Sequence, residues 1–174
     1  AMLYPDETSH VVMVNQIGLT DQRQSRPWSD PFATSAGISN YRSILAGHRR
    51  YFPQDWPPAH LEFVRRQFGQ TLSGEAPRLA MVRRLQGQML YNDPVVYDWQ
   101  HITTKALVLA GEEDGLVADF PTLARHVVSE LQNGALYMYP GIGHAPQIEI
   151  PDQFHADLID FLRSDPDEPA SEWR

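Results

Sequence analysis

Residues 105 to 117 read KALVLAGEEDGLV, and this stretch decides the fold class. Its first part is a short apolar run with no alternation between polar and apolar positions. Runs of this kind are typical of strands that helices cover on both faces of a parallel sheet. The acidic turn GEEDG follows directly, so carboxylates are expected where the strand ends.

Two more strand-like runs flank this one in the chain, HVVMVN (10 to 15) and ALYMY (135 to 139). Apolar residues at helical spacing predict a helix over 121 to 131, and Pro151 opens another that continues to about residue 164. The predicted order is strand, helical block, strand, helix, strand, helix. Such alternation indicates an α/β fold with a mostly parallel sheet and helices on its faces.

The helical block between the first two strands contains three amphipathic patterns. Each repeats apolar side chains at spacings of three and four residues. The three faces are Tyr41, Ile44, Leu45, His48 and Phe52; then Leu61, Val64, Phe68 and Leu72; then Met81, Val82, Leu85 and Met89. Because the block is far longer than one crossover helix, we expect an inserted lid over the carboxyl ends of the strands, where sheets of this type keep their sites.

The chain therefore divides into four predicted segments. Residues 1–16 are the end of a core helix followed by a strand, and residues 17–100 are a helical lid. Residues 101–164 carry the remaining core strands and helices, and residues 165–174 form a polar tail that we expect to be frayed. The opening residues AMLYP are interpreted as the end of a helix cut in its middle.

Composition narrows the function classes. The 174 residues suggest one domain, 42% are hydrophobic, and the chain has no cysteine. Disulfides, thiolate nucleophiles and cysteine–zinc sites are thereby excluded, while the cellular compartment stays open. No apolar run approaches the roughly 20 residues that cross a bilayer, so no membrane partner is expected.

The net charge of −8 is unevenly distributed. Residues 21 to 92 carry a net charge of +5, and residues 93 to 174 carry −11. The basic residues of the first part come as separated pairs on predicted helices, which is typical of solvated helix faces. Nucleic acid is not an expected partner.

Two side chains at strand ends form the candidate catalytic pair. Asp114 follows the strand 105 to 110, and His144 follows 135 to 139 on a turn rich in glycine and proline, PGIGHAP. The carboxyl ends of neighbouring parallel strands meet at one edge, so the two loops should lie side by side. An aspartate bonded to one imidazole nitrogen leaves the other free to accept a proton from a nucleophile. The alternative is that both are solvated turn residues.

Three other acidic residues are alternative candidates for a role at the site. Glu113 is the immediate rival of Asp114, whereas Asp119 lies too far into the next element. Glu149 is interpreted as structural, capping the last helix through backbone N–H groups, with a second acid–base pair to His144 as the weaker alternative.

The sequence resembles the α/β-hydrolase superfamily along nearly its whole length. LVLAGEEDGLV (107 to 117) looks like the strand and turn of the family's acid, and GIGHAPQIEIPDQFHADLIDFL (141 to 162) looks like its histidine turn and final helix. AMLYPDETSHVVMVNQIGL (1 to 19) looks like the helix end and strand that follow the nucleophile, and PVVYDW (94 to 99) is similar to bacterial lidded hydrolases. The resemblance implies that Asp114 and His144 are the catalytic acid and base.

One family feature is absent from the sequence. The nucleophile motif G-x-S-x-G does not occur, because none of the ten serines has glycines two positions before and after it. The resemblance therefore implies the C-terminal part of the fold, with the nucleophile and the oxyanion-hole loop in an upstream N-terminal half. We expect the 174 residues alone to be an inefficient enzyme, with a sheet edge and an apolar face exposed.

Three functions follow from this interpretation. The first is a serine-type hydrolase of small esters or related acyl substrates under an apolar lid. The second is an epoxide hydrolase or haloalkane dehalogenase with an upstream aspartate nucleophile, for which Tyr91 and Tyr97 are candidate proton donors. The third is a non-catalytic remnant that binds a small apolar ligand.

The remaining candidates are weaker. No cofactor is implied, and the other histidines show no metal-ligand spacing such as H-x-x-x-H. Asn15 and Gln16 end the first strand and are minor candidates for substrate contact. The aromatic residues are equally compatible with a pocket lining and with packing: Trp28, Trp56, Tyr91, Tyr97 and Trp99.

Overall fold

A computed structural model describes residues 1–32, 40–54 and 56–174. Three parallel strands form its sheet, in the order β1 (His10–Val14), β2 (Lys105–Gly111) and β3 (Gly134–Tyr139). In register, Val12 pairs with Leu107 and Val108 pairs with Leu136. Part of the predicted helical lid, residues 17–100, lies outside the described residues.

Six α-helices accompany this sheet in the described residues. Their bounds are α1 (Tyr41–Arg49), α2 (Leu61–Thr71), α3 (Ala76–Asn92), α4 (Phe120–Glu130), α5 (Pro146–Glu149) and α6 (Pro151–Arg163). The N-termini of the helices carry residues that favour helix initiation. Asn40 caps α1 by accepting the Ser43 N–H at 2.9 Å. Prolines occupy the first turns of the last four helices. The predicted α/β class with a parallel sheet is confirmed.

The central strand β2 is buried along its whole length. Successive side chains point to opposite faces of a strand. Ala106 and Val108 therefore belong to one apolar cluster with residues of α4, while Leu107 and Leu109 belong to a second with residues of α6. Each of these leucines, fully buried, contributes about 1.5–3 kcal/mol of transfer free energy. The uniform apolar run thus reflects helices on both faces.

The first strand and the residues before it differ from expectation. All five residues of β1 are only half-buried, although their apolar run predicts full burial. The reason is position, since β1 pairs with β2 alone in the described sheet and lies at its edge. Residues 1–4 are not helical, and a 3-10 turn follows at Pro5–Glu7. Four residues alone lack the i−4 carbonyl partners that an α-helix requires.

The C-terminal residues pack against the core instead of fraying. The Trp173 indole packs edge-on against Phe161, with ring centroids 5.4 Å apart, and donates its N–H to Asp160 at 2.9 Å. The Arg174 guanidinium bonds the buried Asp157 carboxylate at 2.7 Å. A buried carboxylate needs such partners, and this requirement is invisible in the polar composition of the tail.

The helical block leaves apolar surface uncovered. No residue of α3 is fully buried, and its Val82, Leu85 and Met89 side chains are exposed. Amphipathic spacing therefore predicts the helix correctly without showing what covers its apolar face. Across the described residues, no helix combines the length and apolarity needed to cross a bilayer.

Candidate active site

The turn after β2 carries three acidic residues, of which one has a buried side chain. Glu112 and Glu113 are exposed, whereas the Asp114 side chain has no accessible surface. Asp114 Oδ1 accepts the backbone N–H of Leu116 at 2.8 Å, which folds the turn back on itself. Burial therefore separates Asp114 from its rival Glu113.

The histidine turn after β3 brings its imidazole to this carboxylate. His144 Nδ1 lies 2.8 Å from Asp114 Oδ2, and the imidazole is 19% exposed. An ionised carboxylate only accepts hydrogen bonds, so Nδ1 carries the proton. Within the described residues, the imidazole uses Nδ1 alone for hydrogen bonds, which leaves Nε2 with a lone pair for a reacting group.

Two glycines permit close backbone approaches at the site, one between the two turns and one between the histidine turn and Tyr51. A Cβ atom on Gly111 would lie 1.7 Å from the carbonyl oxygen of Gly143. A Cβ atom on Gly143 would lie 2.3 Å from the carbonyl oxygen of Tyr51. Neither distance is compatible with a side chain, so glycine at both positions is a steric requirement of the site.

Asn15, at the end of β1, connects the strand to the acid turn. Its backbone has φ of +38°, a region that asparagine adopts more readily than most residues. Its Nδ2 donates to Asp114 Oδ2 at 2.9 Å, and its Oδ1 accepts the Gly111 N–H at 3.0 Å. The sequence placed Asn15 near the site only as a minor substrate contact. A single sequence carries no signal for the pairing, because the partners lie 99 positions apart.

These contacts govern the ionisation of Asp114. Burial disfavours the carboxylate, but hydrogen bonds from His144, Asn15 and the Leu116 N–H outweigh it, so the pKa of Asp114 lies below its ordinary value. The carboxylate is thus ionised at neutral pH and able to stabilise a protonated imidazole.

The end of α1 contacts both turns. The Tyr51 carbonyl oxygen accepts the His144 backbone N–H at 2.8 Å, and the two rings meet edge-on with centroids 4.9 Å apart. The Arg50 guanidinium donates to the carbonyl oxygens of Gly115 and Leu116 at 3.0 and 3.2 Å. The helical block therefore lies against the carboxyl ends of β2 and β3.

Glu149 has a different role from the predicted helix cap. Its carboxylate accepts the backbone N–H of Gly143 at 3.0 Å and so ties α5 back to the histidine turn. Among the described residues, no side chain caps the start of α6. Burial raises the pKa of Glu149, and its backbone hydrogen bonds compensate only in part.

Most of the predicted aromatic candidates lie elsewhere. The Tyr97 hydroxyl is bonded to Asp21 at 2.8 Å, the Tyr91 ring packs against Arg26, Trp28 is exposed, and Trp99 lies in the core. Asp119 is the N-cap residue that precedes α4, and it is exposed. The aromatic residue beside His144 is Tyr51, which sequence reasoning missed.

The helical block contains a hydrogen-bonded chain of three side chains that was also unexpected. His48 Nδ1 lies 2.9 Å from His60 Nε2, and His48 Nε2 lies 2.7 Å from Gln67 Oε1. Burial, and secondarily the neighbouring His48, lowers the pKa of His60. A cleft of about 370 Å³ opens beside this chain, and its lining includes Tyr51 and Leu116, which border the acid–histidine pair.

Comparison with known proteins identifies the fold of the chain. No protein-family model matches the chain. The crystal structure of a probable hydrolytic enzyme (PA3053) from Pseudomonas aeruginosa PAO1 superposes on 94% of the chain with a TM-score of 0.85, at 24% sequence identity. The chain has an α/β-hydrolase fold.

The chain spans only part of the proteins it matches. It covers 58% of the P. aeruginosa structure. A putative carbamate hydrolase, RutD of Stutzerimonas stutzeri (strain A1501), is 26% identical over 111 residues, which are 64% of this chain and 40% of that protein. MGS-M2, an α/β hydrolase from a Medee basin deep-sea metagenome library, is 22% identical over 71% of the chain, with a TM-score of 0.44. Within the α/β-hydrolase fold, an acid that precedes the histidine is the expected chain order.

Proposed function

We propose that the protein is a serine-type α/β-hydrolase in which His144 is the general base and Asp114 its orienting acid. The observation that carries the proposal is the 2.8 Å hydrogen bond between His144 Nδ1 and a fully buried carboxylate. It leaves Nε2 to take the proton of a hydroxyl nucleophile. The fold supports this assignment, since strand ends are where α/β sheets place their sites.

The reaction follows from this pair and a serine. As the serine oxygen attacks a substrate carbonyl, His144 Nε2 accepts its proton, and the Asp114 carboxylate stabilises the imidazolium. The imidazolium then protonates the leaving group, and an acyl-enzyme remains. Water, deprotonated by the same nitrogen, hydrolyses it. The 174 residues contain no G-x-S-x-G motif, so the serine and the oxyanion hole are assigned to an N-terminal part of the same fold.

The substrate class in this proposal is a small ester or a related acyl compound such as a carbamate. The helical block 17–100 acts as a lid, since Arg50 and Tyr51 contact the two turns that carry the pair. The similarity to a putative carbamate hydrolase supports attack on a carbonyl carbon.

An intact-mass experiment tests the nucleophile. The intact mass of every chain in the purified protein is measured before and after reaction with a fluorophosphonate probe, and peptide mapping locates the labelled residue. We expect one labelled serine outside residues 1–174 and loss of labelling in His144→Ala. A matched control is His126→Ala, because that imidazole is 58% exposed and lies on α4. Labelling of a serine within residues 1–174, or undiminished labelling of His144→Ala, would contradict the proposal.

The same preparation separates the two alternatives. An aspartate nucleophile gives no fluorophosphonate label, but His144→Ala should then accumulate an alkyl-enzyme ester with an epoxide or haloalkane, because His144 would activate the hydrolytic water. Tyr97 is unsuited to protonate an epoxide there, since its hydroxyl is bonded to Asp21. A non-catalytic remnant would show neither adduct, and its ligand affinity would be unchanged in His144→Ala.

A further inference from the structure

Asn15 contacts the acid–histidine pair without touching the imidazole. It is 3% exposed, and its carboxamide makes two buried hydrogen bonds, one to Asp114 Oδ2 and one from the Gly111 N–H. The Oδ2 atom that it bonds is the same oxygen that accepts from His144 Nδ1. Two donors therefore converge on one carboxylate oxygen, while the Leu116 N–H occupies the other.

This arrangement defines the plane of the carboxylate. The Leu116 N–H holds Oδ1 and the Asn15 amide holds Oδ2, so both carboxylate oxygens are fixed independently of the imidazole. Because Asn15 Oδ1 is bonded to the Gly111 N–H, its Nδ2 necessarily points at Asp114. An asparagine is suited to the position, since it supplies a donor and an acceptor together and tolerates the positive φ of this strand end.

We propose that Asn15 is a positioning residue for the pair, whose carboxamide holds Asp114 Oδ2 towards His144 Nδ1 and so keeps the imidazole proton on Nδ1. The inference rests on the proposed function only in taking Asp114 and His144 as the catalytic acid and base. It assigns Asn15 no contact with substrate. This replaces the substrate contact that the sequence suggested for this residue.

The charged surroundings of Asp114 make its ionisation a usable readout. His144 faces it from the histidine turn, and Arg50 lies nearby on the end of α1, bonded to the carbonyl oxygens of Gly115 and Leu116. The adjacent Glu113 is exposed. None of these groups is changed in Asn15→Gly, which also introduces no charge, so a change in the Asp114 titration of that variant reports the loss of the carboxamide.

The test is an NMR titration of the chain carrying ¹³C-labelled aspartate and ¹⁵N-labelled histidine, which requires no turnover. In Asn15→Gly, a residue that also tolerates positive φ, the Asp114 titration should move to higher pH because the ionised form loses a donor. The ratio of Nδ1–H to Nε2–H tautomer of His144 should fall about fivefold, which corresponds to a hydrogen bond of about 1 kcal/mol.

Two further variants complete the test. Asn15→Asp keeps the size of the side chain but sets a second carboxylate against Asp114, so the pair should titrate at still higher pH; it carries the test if Asn15→Gly does not fold. Asn133→Ala is the matched control, because it removes a similar amide contact, to the Ala170 N–H at 2.6 Å, far from the site. It should leave both signals of the pair unchanged.

The outcomes separate this inference from the proposed function. Unchanged Asp114 and His144 signals in both Asn15 variants would overturn the role of Asn15 and leave the pair intact. A wild-type His144 that carries its proton on Nε2 would show that the pair itself does not form, and the proposed function would fall with it. A wild-type Nδ1–H signal that is reduced in both Asn15 variants and kept in Asn133→Ala would establish the positioning role.

Discussion

Substitution of Gly111 by alanine tests the close approach on which the site depends. The new Cβ atom would lie 1.7 Å from the Gly143 carbonyl oxygen and 2.6 Å from that of Ile142, both of them backbone atoms. Real Cβ contacts stay above 3.0 Å, so the histidine turn must retreat by at least about 1.3 Å. A retreat of that size along the line of the 2.8 Å Asp114–His144 bond would lengthen it to about 4.1 Å, which is no longer a hydrogen bond.

The expected loss has two parts. Overpacking of this kind costs about 1–3 kcal/mol, and loss of the buried hydrogen bond adds about 1–3 kcal/mol because the Asp114 carboxylate keeps its desolvation. Urea denaturation of wild type and Gly111→Ala measures the difference in unfolding free energy. The ¹⁵N spectrum of His144 reports whether Nδ1 still carries the proton, and kcat of the active protein should fall by about 10⁴, the scale for losing the orienting acid.

The control is Gly69→Ala on α2. A Cβ atom there meets nothing within 4 Å and the position is exposed. Alanine in a helix interior should stabilise the protein by about 0.5–1 kcal/mol through its higher helix propensity. If Gly111→Ala were as stable as wild type and kept the Nδ1–H signal of His144, the steric account of the site would be refuted.

Three further outcomes are expected. The folded-state pKa of Asp114 lies below its unfolded value of about 3.9, so ionisation of this group stabilises the fold above about pH 3.9. This stabilisation disappears as the pH falls through the folded-state pKa. Acid-unfolding curves of Asp114→Asn should therefore lack this decrease in stability. The folded-state pKa of Glu149 is raised instead, so the unfolding free energy should decrease as the pH rises from about 4.3 to that folded-state pKa. Glu149→Gln can still accept the Gly143 N–H and should remove this pH dependence in urea denaturation. Tyr97→Phe should leave kcat/KM unchanged, since the hydroxyl bonds Asp21; a large loss of turnover would instead favour the epoxide alternative.

The architecture could be predicted because it depends on patterns local in the chain. The uniform apolar run of β2 requires cover on both faces, and the helical spacing of α4 and α6 supplies it. The same run in β1 predicted too much burial, because run composition does not distinguish a central strand from an edge strand. The tail was misjudged for a similar reason, since its polar composition hides the two side chains, Trp173 and Arg174, that fasten it.

The candidate site could likewise be predicted from the sequence only in part. Asp114 and His144 could be selected from sequence, because each follows a strand of one parallel sheet and strand ends converge. Their 2.8 Å contact, the burial of Asp114 beside the exposed Glu113, and the contact of Glu149 with Gly143 were decided by tertiary structure. A carboxylate's role depends on burial and on the direction of its neighbours, which local patterns do not encode.

By itself, the sequence determined the α/β class, the order of the elements and the two turns that carry the acid and the histidine, since periodicity and turn chemistry are local properties of the chain. Only the tertiary structure decided that Asn15, 99 positions from Asp114, bonds the same carboxylate oxygen as His144, and that Tyr51 from the helical block lies against the imidazole. Those contacts join residues far apart in the chain, and the absence of a Cβ atom at Gly111 and Gly143 permits the close backbone approach at the site.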